Sequence, residues 1–124
     1  MNYKKLFFTL LLACLCLSFH SKLPGSSEKV LHHILLFQWA EGIEKEAQDD
    51  LLSLFNGLPA KIDGFERVEI YEITESSNDF DVVLGLQFTS KEALENYNVH
   101  PDHVKITEIA PPMLSGFSEY DYWK

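Results

Sequence analysis

Val30 to Trp39 constrains this chain more than any other stretch. Leu31, Ile34, Leu35, Leu36 and Phe37 make it almost continuously apolar and dense in branched and aromatic side chains, the composition of a strand. Neighbouring strand residues point to opposite faces, so a strand apolar on both faces has to be covered on both faces. Whatever sheet contains this strand needs cover on each side.

The following segments supply the elements. Ile43 to Leu58 reads as a helix, with Ile43, Ala47, Leu51, Leu54 and Leu58 aligned as one apolar stripe. Glu44, Glu46, Asp49 and Asp50 give its early turns the negative charge a helix dipole favours, and Gly57 and Pro59 mark its end. Phe65 to Thr74 alternates as a strand, with Phe65, Val68, Ile70 and Ile73 on one face and Glu66, Arg67, Glu69 and Glu72 on the other. Glu75 to Asp79 is a turn, and Phe80 to Phe88 completes a hairpin. Thr89 to Asn98 begins a second helix, where Thr89 and Glu92 form a capping box and Ala93, Leu94 and Tyr97 share a face. His100-Pro101 interrupts it. Asp102 can cap a further short helix through Val104, Ile106, Ile109 and Ala110, which Pro111-Pro112 ends. Ser115 to Trp123 closes the chain as a strand carrying Phe117, Tyr120 and Tyr122.

The order β-α-β-β-α-β predicts an α+β fold, a ferredoxin-like sandwich. Helices on one face leave the other face open, and here that face is expected to be apolar. Such a face calls for a partner. The expected one is a second copy of the chain, its sheet closing on the first to make a dimeric α/β barrel.

Residues 1–27 read as a signal segment and linker, and 28–124 as the domain. Lys4 and Lys5 precede the apolar run Leu6 to Phe19, a pattern of export. That run falls short of the roughly 20 residues a spanning helix needs. Cleavage after Ser18, or further on within Ser21 to Ser27, gives a periplasmic or secreted domain. Leu11-Leu12-Ala13-Cys14 offers the alternative of a lipoprotein anchored at Cys14, the one route to a membrane expected here. Both cysteines, Cys14 and Cys16, lie in this segment, so the domain has no disulfide and no thiolate chemistry. All 19 acidic residues follow Ser27, against seven of the ten basic ones. A domain this acidic repels nucleic acid and anionic lipid, which sets nucleic-acid binding aside.

Four of the five histidines fall in two clusters: His32 with His33, and His100 with His103. Tyr97 lies close to the second. Imidazole titrates near neutral pH, so clustering raises proton transfer or metal binding, against the simpler role of bonding backbone at element ends. His100 precedes Pro101 and is expected to fix the bend through a backbone hydrogen bond. His32 and His33 point to opposite faces, so only one of them can share a cavity with His103. His100 and His103, three apart, can meet one ion on a helix with His33 as third ligand, but no carboxylate partner is fixed by spacing. No metal and no cofactor are assigned.

The chain resembles the stress-responsive A/B barrel (Dabb) family. The matching pieces are His33-Ile34-Leu35-Leu36-Phe37, the helix ending near Leu58-Pro59, the segment Tyr97-Asn98-Val99-His100-Pro101-Asp102-His103, and the final Phe117 to Tyr122. The resemblance implies a ferredoxin-like unit that dimerises through its sheet. A plant branch of the family is a polyketide cyclase that works by cofactor-free aldol condensation. By that likeness His103 is the general base, Tyr97 polarises or hydrogen-bonds, and His33 lines the cavity; His100 is placed with it as a ligand-binding residue. An imidazole can take a proton lying between two carbonyls, and a phenol can stabilise the enolate.

Three functions are expected to compete: binding of a small hydrophobic or aromatic molecule in an apolar cavity, cofactor-free cyclase or isomerase chemistry at His103 and Tyr97, and a purely structural stress-related oligomer.

Overall fold

The apolar first strand lies inside the sheet. In the computed structural model, which describes residues 28–124, β1 (Leu31–Trp39) is flanked by β3 (Val82–Phe88) and β4 (Leu114–Trp123), and β2 (Phe65–Glu72) pairs beyond β3. The order is β2-β3-β1-β4, and every neighbouring pair is antiparallel. Three helices, α1 (Lys45–Asn56), α2 (Lys91–Val99) and α3 (Pro101–Ile109), and a short 3-10 turn at Pro111–Met113 complete the β-α-β-β-α-β plan. The ferredoxin-like α+β sandwich is borne out. The proposed signal segment and linker, residues 1–27, lie outside the described residues. Among the described residues, no helix is long and apolar enough to cross a membrane.

Strand alternation divides the sheet. Leu31, His33, Leu35 and Phe37 face the helices; Leu31, Leu35 and Phe37 join Leu51, Phe55, Leu84, Leu86, Phe88 and Tyr97 in the core. His32, Ile34, Leu36 and Gln38 face the other way, beside Tyr122, Tyr120 and Ser118 of β4. Among the described residues nothing covers this second face, and Tyr71, Tyr120 and Tyr122 are exposed.

Several local expectations are corrected. The buried stripe of α1 is Leu51 and Phe55, with Leu52 partly covered, while Leu54 is exposed. Residues four apart on a helix lie nearly in line, and Phe55 fills more volume than a leucine, so the helix seats on that row. In β2, Phe65 and Val68 share a face although they are three apart, because the register shifts between Phe65 and Arg67. A bulge adds one residue and restores the facing. Ile73 lies past the end of β2, and Glu72 pairs with Lys45 of α1 at 3.1 Å.

The caps also move by one or two positions. Ser90, not Thr89, caps α2, its Oγ accepting from the Ala93 N–H at 3.1 Å. Thr89 instead stands against Gly64. Gly64 has a φ of 79°, and a Cβ there would lie 2.6 Å from Thr89 Oγ1 and 2.7 Å from Ala93 Cβ. Only glycine allows that approach of the β2 entrance to α2. His100, not Asp102, caps α3.

Candidate functional site

The break between α2 and α3 builds the site. Proline disfavours helical backbone in the residue before it, and His100 is extended (φ −65°, ψ 134°). Pro101 then starts α3 at a position where its missing N–H costs nothing. The chain turns back on itself, and the His103 ring comes to rest on the Tyr97 ring, with centroids 3.9 Å apart. Tyr97 is held edge-on by Phe65 at 5.4 Å and tilted against Phe88 at 5.3 Å. It is 1% exposed.

Beneath this pair lies a cleft of about 510 Å³ between β1, β4 and the helices, within the range of small-molecule sites. Register orders its lining. Phe37 stands opposite Phe117, Leu35 opposite Glu119, and His33 opposite Asp121. One end is therefore apolar, with Phe37, Phe55, Leu114 and Phe117. The other carries His33, Tyr97, His103 and Glu119.

Hydrogen bonds settle the tautomers. His33, 8% exposed, has Nδ1 2.6 Å from Asp121 Oδ1. A carboxylate accepts only, so Nδ1–H donates and Nε2 is left facing Glu119 Oε2 at 3.9 Å. His103 Nδ1 lies 3.3 Å from the Asn98 carbonyl, which likewise places its proton on Nδ1 and leaves the lone pair of the neutral ring on Nε2. His100 is the reverse. Its Nδ1 accepts from the Asp102 N–H at 3.2 Å, so Nε2 carries the proton of the neutral ring.

Electrostatics follows from burial. Burial lowers the pKa of His103 below the ordinary imidazole value, opposed by the Asn98 carbonyl and aided by His33. Burial, and then the charge of Glu119, push the Tyr97 phenol far above its usual range. Tyr97 is thus a hydrogen-bond donor at any accessible pH, yet its buried hydroxyl has no partner among the described residues. A buried polar group without a partner costs about 1–3 kcal/mol.

Of the residues expected at the site, His33, Tyr97 and His103 come together on the cleft. His100 does not line it; it caps α3, as its place before Pro101 suggested. His32 points to the other sheet face and stacks on Tyr122 at 4.7 Å. Among the described residues no three His, Cys, Asp or Glu side chains are placed to hold a metal ion. Glu119 and Asp121 were missed. The alternation Phe117, Glu119, Asp121 against Ser118, Tyr120, Tyr122 is the signal that identifies them, and it sets Phe117 on the face opposite the two tyrosines.

Comparison with known proteins gives a consistent picture. Residues 31–124 match the family model "Stress responsive A/B Barrel Domain". The Arabidopsis thaliana stress-response A/B barrel domain-containing protein DABB1 is 27% identical over 99 residues, 75% of this chain. The match spans 46% of that relative's length. Among solved structures, a dimeric ferredoxin-like protein of unknown function from Bacteroides fragilis aligns with a TM-score of 0.60 and 23% identity, covering 75% of this chain and 94% of that one. The hydroxynitrile lyase of Passiflora edulis aligns with a TM-score of 0.72 and 11% identity, covering 78% and 94%.

Proposed function

From the premise that this chain belongs to the stress-responsive A/B barrel family, we propose that it is an exported homodimer that binds a small hydrophobic or aromatic molecule in the cleft under α3. One observation carries the binding reading: an apolar cleft of ligand size is lined by Tyr97, whose buried hydroxyl has no partner among the described residues. Buried polar groups are normally satisfied, and a ligand acceptor there would satisfy this one. Export rests on Lys4, Lys5 and the apolar run after them, with release or anchorage at Cys14 as the two forms. The dimer rests on the uncovered tyrosine-rich sheet face and on the dimeric state of the Bacteroides fragilis neighbour.

Native mass spectrometry of the protein from a bacterial extract is the test. The expected result is a dimer carrying a small organic adduct, lost in a His103→Trp variant that fills the cleft. An adduct retained by that variant places binding elsewhere. A clean dimer points to a structural role.

A second reading, acid–base chemistry, is favoured by the His103 geometry. Its neutral ring lies tilted against the Tyr97 phenol and presents a lone pair at Nε2. The lyase neighbour is an enzyme on the same fold. His103 would take an acidic carbon-bound proton while Tyr97 donates to the developing oxyanion. The pKa of His103 is lowered, so the neutral base persists below the ordinary imidazole value of about 6.5. Deuterium exchange into a diketone probe should then hold steady as pH falls through neutrality and decline only below that value. His103→Gln should abolish the catalysed rate. Catalysis unchanged in that variant would exclude His103 as the base.

A further inference from the structure

The charge around the cleft is one-sided. Among the described residues its lining contains no lysine or arginine, whereas Glu119 is on its wall, and Asp121 stands behind His33 at 2.6 Å. The charged side chain on the described lining is therefore a carboxylate, in a domain that is acidic throughout. A negative head group brought there meets the like charge of Glu119, and among the described lining residues no guanidinium or ammonium stands by to pair with it. A donor head group meets Glu119. The orphan Tyr97 hydroxyl, itself a donor, asks for an acceptor on the same ligand.

We infer that the cleft selects an aromatic molecule whose head group is a hydroxyl or an amine, offering an acceptor or ring edge to Tyr97 and a donor to Glu119, and that it rejects carboxylates. This rests on the binding reading above and names the ligand class for the same site. Glu119 is the residue that determines the specificity.

The test uses the full protein and three probes with one ring system: naphthol, naphthylmethylamine and naphthoate. Binding is measured by fluorescence titration at a pH of about 7.5, where an unperturbed imidazole is mostly neutral. The amine and the alcohol should bind at least about tenfold more tightly than the carboxylate, the equivalent of roughly 1.4 kcal/mol. Glu119→Gln should narrow that gap by raising naphthoate affinity. The Glu119 side chain is 58% exposed, so the substitution should leave the fold intact by circular dichroism. Naphthoate binding as tightly as naphthol, or a gap unchanged in Glu119→Gln, overturns the selectivity and leaves the binding reading standing. Failure of all three probes to bind overturns both.

Discussion

Tyr97→Ala should destabilise the protein by about 3–5 kcal/mol, the range for removing a large ring from a packed core, while Tyr97→Phe should leave stability unchanged or raised. The ring contacts Phe65, Phe88 and His103, and the residue is 1% exposed. Its loss opens a void in a core that is small because the domain is small. Total stability is typically about 5–15 kcal/mol, so the alanine variant should lose a large part of its margin. The hydroxyl has the opposite account. It is buried without a partner among the described residues, so deleting it removes a desolvation cost and no hydrogen bond. Urea unfolding of both variants measures these effects. The phenylalanine variant should nevertheless bind ligand more weakly. If Tyr97→Phe instead loses more than about 1 kcal/mol, the hydroxyl has a structural partner and its role in binding is withdrawn.

The second large effect concerns assembly. Leu36→Glu should turn the proposed dimer into a folded monomer. Leu36 lies at the middle of β1 on the face away from the helices, between Val83 of β3 and Ser118 of β4. It does not belong to the core cluster, so each subunit keeps its own packing. On the same face Ile34 and Tyr120 form the next cross-strand pair and Tyr71 lies beyond Val83, an apolar and aromatic surface. Closing two such sheets would bury a carboxylate without a counter-charge, at a penalty of several kcal/mol for each ion. A two-fold interface carries the change twice. Sedimentation at micromolar concentration should show a monomer with an unaltered circular dichroism spectrum. A dimer that persists would move the interface to another surface.

Much of this architecture was legible because it depends on short-range pattern. The near-continuous apolar run of β1 marked a strand that needs cover on both faces; it lies between β3 and β4, and the core covers its helix-side face. His100-Pro101 marked a helix break, and the backbone before Pro101 is extended as proline sterics require. Capping was harder to assign. Thr89 and Ser90 are adjacent hydroxyls, either able to cap α2, and the choice fell to Ser90 while Thr89 packed against Gly64. The row of α1 that faces inward was also ambiguous, because Leu54 and Phe55 are neighbours and only the opposing surface could select one of them.

By itself the sequence determined the element order, the fold class, the acidic surface and the presence of two imidazole clusters, since these follow from composition, periodicity and the fixed torsion of proline. The tertiary structure alone decided which histidines meet. His33 and His103 are brought to one cleft by the register of β1 against β4 and by the reversal at His100, while His32 turns to the far face. It also decided that Glu119 and Asp121 belong with them. Cross-strand partners share a face only once a register is set, and register is set by packing over the whole sheet rather than by the residues of either strand.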